Sequence, residues 1–95
     1  MDLEKILKEN SRVLFDVWAP WCGPCKVTTP IIEELEKRTK NVKIVKVNAD
    51  EERKIIQDLG VISVPTFLYY KDGNLVNQIT GVVDKRTLKK LIEEI

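Results

Sequence analysis

The chain has 95 residues, 43% of them apolar, and 16 basic and 15 acidic side chains leave a net charge of +1. That length suits one domain over residues 1–95, and the interspersed charge offers neither a basic stripe for nucleic acid nor a like-charge tail. No apolar run approaches the ~18 residues of a membrane span, and the acidic, amphipathic start Met1-Asp2-Leu3-Glu4-Lys5 does not read as a signal peptide, so a cytoplasmic location is expected.

Residues 2–10 read as a helix capped by Asp2, with Leu3, Ile6 and Leu7 on one face. Residues 13–18, Val-Leu-Phe-Asp-Val-Trp, form a run suited to a central strand covered on both faces. Alternation puts Leu14, Asp16 and Trp18 on one side and Val13, Phe15 and Val17 on the other. Asp16 is then a carboxylate inside a buried strand, which packing alone would not select. The next helix starts at Cys22 and runs to about Arg38, with Val27, Ile31 and Leu35 stacked and Ile32 beside them. Pro30 removes one ladder bond and meets the Lys26 carbonyl, so a kink or a split into two helices is expected there.

Val42–Asn48 is the second strand, parallel to the first through a right-handed crossover. It is expected to lie at a sheet edge, where Lys43 and Lys46 discourage further pairing. Lys46 shares a face with Val42 and Ile44, and Asp16 on the neighbouring strand is its expected partner. Asp50 is expected to cap a short helix whose Ile55, Ile56 and Leu59 point inward and which Gly60 stops. After the loop Val61–Val64 comes a hairpin: Thr66–Tyr70, a turn at Asp72-Gly73, and the return strand Leu75–Thr80. Tyr69 and Tyr70 alternate, so one should be core and the other more exposed. Gly81 breaks the strand, and Asp84 caps a last helix that buries Leu88, Leu91, Ile92 and Ile95. The fold class is α/β, with a four-stranded mixed sheet.

Both cysteines lie in Trp21-Cys22-Gly23-Pro24-Cys25. Two intervening residues bring the sulfurs within bonding reach when the first cysteine opens a helix. There, unpaired N–H groups and the helix dipole favour a thiolate at Cys22. Pro24 has no N–H and suits the first turn, and Gly23 lets another backbone come close. Cys22 should be accessible and Cys25 largely buried. A lone pair in a reducing compartment is catalytic or metal-binding more often than structural. Structural zinc needs four ligands, and this chain has two cysteines and no histidine, so only a bridged dimer would complete such a site. A purely structural bridge across so short a loop would remove little chain entropy. The sequence therefore points to thiol–disulfide exchange.

The segment Trp18-Ala19-Pro20-Trp21-Cys22-Gly23-Pro24-Cys25-Lys26 resembles the active-site segment of the thioredoxins. Val64-Pro65-Thr66 resembles that family's cis-proline loop, Lys71-Asp72-Gly73 its hairpin turn, and Gly81-Val82 its last substrate-contacting loop. The resemblance covers about residues 12–95, and the strand that usually precedes the first helix in the family has no room here. It implies the thioredoxin fold with helices on both faces of the sheet. It also implies a protein disulfide reductase with Cys22 as nucleophile and Cys25 as resolving thiol. Asp16 would accept the Cys25 proton and Lys46 would tune Asp16, with Gly23 and Pro24 completing the active-site turn. Trp21, Val64, cis-Pro65, Gly81 and Val82 would bind substrate. The reversible Cys22–Cys25 disulfide would be the redox group, with no cofactor or metal. The expected partners are a thioredoxin reductase, flavin- or ferredoxin-dependent, and disulfide-containing proteins, served by a monomer in cellular electron transport. An oxidase or isomerase of the same fold, or a rigid binding subunit that exchanges no disulfide, are the alternatives.

Overall fold

The computed structural model describes residues 1–93. In chain order the elements are α1 (Leu3–Glu9), β1 (Arg12–Trp18), α2 (Gly23–Arg38), β2 (Lys43–Asn48), α3 (Arg53–Leu59), β3 (Thr66–Lys71), β4 (Asn74–Thr80) and α4 (Lys85–Glu93). The expected Ile95 contact lies outside the described residues.

Strand order is β2-β1-β3-β4. β1 runs parallel to β2, and the remaining neighbours are antiparallel, so the sheet is mixed. β2 therefore lies at an edge, as its lysines suggest, with Lys43 and Lys46 exposed. Alternation along β1 divides the interior. Leu14 packs with Ile32 and Leu35 of α2, Ile44 of β2, Phe67 and Tyr69 of β3, and Leu88, Leu91 and Ile92 of α4. Val13, Phe15 and Val17 face the other way, onto Ile55 and Leu59 of α3 with Leu3, Ile6 and Leu7 of α1 at the margin. Helices thus cover both faces. Tyr69 is fully buried, whereas Tyr70 is half-buried and meets Phe15 edge-on with ring centroids 5.5 Å apart.

The caps follow the sequence in part. Asp2 accepts from the Lys5 N–H and Asp84 from the Thr87 N–H, each closing a helix start. Gly60 takes the left-handed conformation that ends α3, at φ 71°. Asp50 does not cap α3: the N-cap is Glu52, with no side-chain bond. Asp50 lies two residues before that position, and its carboxylate is engaged elsewhere.

α2 follows expectation in its bounds and departs from it in the face it buries. It runs unbroken through Pro30, so no split occurs. Losing one ladder bond is tolerated within 16 helical residues anchored along a buried face. That face is Cys25, Thr28, Ile32 and Leu35, while Val27 is exposed. The inward turn of Cys25 sets the rotation, and Val27 lies roughly 200° round the helix from it. Thr28 replaces it in the interior at little cost, because its hydroxyl donates to the Cys25 carbonyl at 3.1 Å.

Candidate redox-active site

The buried strand β1 ends at Trp18, and a tight turn follows. The Cys22 N–H donates to the Ala19 carbonyl at 3.1 Å, which sets Cys22 as N-cap of α2 in extended backbone. Pro24 then falls in the first turn, where no donor is needed. Cys22 and Cys25 are joined by a disulfide, with Cα atoms 5.3 Å apart. The Cys22 Sγ accepts the Cys25 N–H at 3.2 Å, so the sulfur takes the place that an oxygen cap usually fills.

Exposure does not separate the two thiols as expected. Cys22 and Cys25 are each 3% exposed and pack with Ala19, bordered by Trp18, Ala49 and Val64. In the bridged form each sulfur shields the other, so the spacing argument for an open Cys22 does not hold in this state. Around them the surface is open. Trp21 is 70% exposed, Val82 is exposed, and a side chain built at Gly23 would meet nothing within 4 Å.

Three loops converge here. The Val64–Pro65 peptide bond is cis, and Val64 lies against the cysteine cluster. The Gly81 N–H donates to the Pro65 carbonyl at 2.9 Å, tying the last loop to this one, and Gly81 has φ 102°, which side chains rarely adopt. Trp21 Nε1 donates to Asp50 at 3.1 Å, which fixes the exposed indole over the turn after β2.

Asp16 lies on the β1 face covered by α2 and α4. It is buried, and its Oδ1 has no hydrogen-bond partner among the described residues. Burial raises its pKa from 3.8 to about 6, partly opposed by the Lys46 charge. Lys46 stands opposite Asp16 in the β1–β2 register but ion-pairs with Glu33 of α2, Nζ to Oε1 at 3.5 Å. The expected Asp16–Lys46 pair is thus replaced by a longer-range attraction. A lysine near an edge reaches water and an exposed acid more cheaply than a buried one.

The sequence reading missed three residues. Asp50, expected as a cap, anchors the Trp21 indole. Glu33 gives no local signal, because its partner is set by the helix–strand crossing. Ile62 is 99% exposed in the loop before Pro65, and a lone isoleucine between Gly60 and Pro65 was a legible cue.

Residues 3–94 match the thioredoxin family. Thioredoxin 1 of Synechococcus elongatus is 38% identical over 92 residues, covering 96% of this chain and 86% of that protein. A mutant thioredoxin from Halobacterium salinarum superposes with a TM-score of 0.89 at 36% identity, over 97% of this chain and 80% of that one. A third match is a chain from a structure described as the basis of the thiol resolving mechanism in yeast mitochondrial 1-Cys peroxiredoxin via glutathione/thioredoxin systems. It has a TM-score of 0.88 and 33% identity, over 96% of this chain and 85% of that one. A cysteine-capped helix, a cis-proline loop and a matching sequence along nearly the whole length lead to one conclusion: the chain belongs to the thioredoxin family.

Proposed function

We propose that this chain is a cytoplasmic, monomeric protein disulfide reductase in which Cys22 attacks and Cys25 resolves. Family membership makes it a thiol–disulfide oxidoreductase working by dithiol–disulfide exchange, with the cysteine pair as its redox group. The single observation that carries the assignment of roles is the Cys22 Sγ at the N-cap, accepting the Cys25 N–H. Once reduced, a sulfur held there gains a hydrogen bond and the helix dipole as a thiolate, and a thiolate is the nucleophile.

Cys22 thiolate attacks one sulfur of a substrate disulfide, forming a mixed disulfide and releasing the other substrate sulfur as a thiolate. Cys25 then gives its proton to the Asp16 carboxylate, through water, and attacks Cys22 Sγ. The Cys22–substrate bond breaks, the second substrate sulfur leaves as a thiolate, and two electrons have passed to the substrate. A carboxyl with a pKa near 6 suits a base working near neutrality. Lys46, facing Asp16 across the strands, tunes that value. Gly23 and Pro24 shape the active-site turn. Trp21, Val64, Pro65, Gly81 and Val82 form the docking groove, where an extended substrate segment pairs with the Val64 backbone. A thioredoxin reductase returns the disulfide to the dithiol.

The test is trapping. With a disulfide-bonded protein substrate, Cys25→Ser should accumulate a mixed disulfide through Cys22, and Cys22→Ser should accumulate none. Turnover of that substrate by the native chain with a thioredoxin reductase should be lost in both variants. Trapping by Cys22→Ser instead would reverse the roles, and activity surviving in the double variant would leave a binding subunit.

A further inference from the structure

We propose that Glu33 is a positioning residue for the exchange reaction: it holds the Lys46 ammonium away from Asp16 and so leaves the buried carboxyl able to carry a proton. The inference rests on the assignment of Asp16 as proton acceptor, and it begins from what Lys46 does. Register places Lys46 directly opposite Asp16, on the same side of the sheet. An unopposed lysine there would lean over the carboxylate, whose Oδ1 has no partner among the described residues. Instead its amine meets Glu33 Oε1 at 3.5 Å, and both side chains reach solvent, at 36% and 54% exposure. Glu33 arrives from α2, two turns beyond Cys25, so the helix that carries the resolving thiol also carries the acid that draws the lysine off.

Two lysines of α4 are committed to ion pairs. On α4, Lys85 donates to Glu34 of α2 and Lys89 pairs with Glu93. β3 contributes Phe67 opposite Asp16 and the Tyr69 hydroxyl further along, close enough to feel Arg12. On α2, Cys22 and Cys25 do not titrate while bridged. Among the described residues Lys46 is the cation whose charge acts on Asp16, and its amine is met by Glu33. The direct charge of Glu33 acts in the same direction, since a second anion also resists ionisation of Asp16.

The experiment follows the Asp16 carboxyl by carbon NMR through a pH titration of the oxidised protein at moderate salt. Glu33→Gln should lower the Asp16 midpoint by about 0.3 unit, the scale of one partly exposed ion pair. Lys46→Met should raise it. Adding Glu33→Gln to Lys46→Met should then change it by less than it does alone, because the lysine through which Glu33 acts is gone. An unmoved or higher midpoint in Glu33→Gln overturns the proposal. An equal shift with and without the lysine also overturns it, since Glu33 would then act by its own charge. The second arm follows mixed-disulfide release against pH in the reduced protein. In Glu33→Gln its acid limb should move down with the titration, and Glu33→Asp should restore part of the native value. If the titration moves as expected but the rate profile does not, Glu33 does position Lys46 and Asp16 is not the base.

Discussion

Asp16 is the one ionisable side chain in the buried run Val13–Val17, and its energetics can be read from two numbers. Its pKa stands at about 6 against the usual 3.8. Below pH 3.8 the acid is protonated in both folded and unfolded chains, and it carries no ionisation penalty. Between 3.8 and about 6 the unfolded chain is ionised while the folded one holds its proton, so stability falls with rising pH. Above about 6 both are ionised, and the loss levels off at roughly 3 kcal/mol. Asp16→Leu should therefore raise the chemical denaturation midpoint of the oxidised protein at pH 8 and change it far less at pH 4. The Oδ1 accepts no hydrogen bond among the described residues, so none is lost there by replacing it. The same variant should slow release of the mixed disulfide. A variant less stable than native at pH 8 would show that Asp16 is well paired. The position was legible in the sequence because one acid interrupts an apolar run. Its relation to Lys46 was legible only as proximity: strand parity puts the two side by side, but the competing Glu33 is brought in by a helix whose rotation the pattern misjudged.

At the scale of the elements, sequence reading succeeded where one residue fixes a backbone state and failed where neighbours of like chemistry compete. Gly60 is of the first kind. It ends α3 with φ 71°, its N–H shared between the Gln57 and Ile56 carbonyls, while the Val61 N–H closes onto Ile56 at 3.1 Å. A Cβ at this site would meet nothing within 4 Å, so replacement carries a conformational cost and no clash. Gly60→Ala should lower stability by about 1 kcal/mol with an unchanged denaturant slope. A neutral result would mean that the α3 terminus can relax out of its left-handed turn. The acids Asp50, Glu51 and Glu52 are of the second kind. Each precedes α3, and side-chain chemistry alone does not say which becomes the N-cap. Asp50 is held instead by the Trp21 indole N–H, and the turn that Glu51 and Glu52 N–H close on the Asn48 carbonyl leaves Glu52 at the N-cap. On α2, Val27 and Thr28 compete for one inward position. Hydrophobicity favours the valine, but the disulfide sets the helix rotation and buries the threonine.

Across the whole molecule, burial and hydrogen bonding are graded from the middle of the sheet outward, and local stability should be graded with them. β1 is paired on both sides, to β2 and β3, and Val13, Leu14, Phe15 and Val17 have no exposed surface. β3 is likewise paired on both sides, with Phe67, Leu68 and Tyr69 fully buried. β4 forms the far edge, and six of its seven residues are exposed. α1 has no buried residue and touches the core only through the half-buried Leu3, Ile6 and Leu7. Opening α1 or the outer face of β4 exposes little apolar surface, whereas opening β1 disrupts both cores at once, because its alternate residues belong to opposite faces of the sheet. Native-state amide exchange should therefore be slowest in β1 and β3, at rates set by global unfolding, and fastest in α1 and along the outward-facing amides of β2 and β4. For β1 this was foreshadowed by the sequence, since residues 13–18 lack the polar alternation of a one-sided strand. Exchange in α1 as slow as in β1 would mean that the first helix folds with the central strand as one cooperative unit, and that its marginal packing understates its part in the fold.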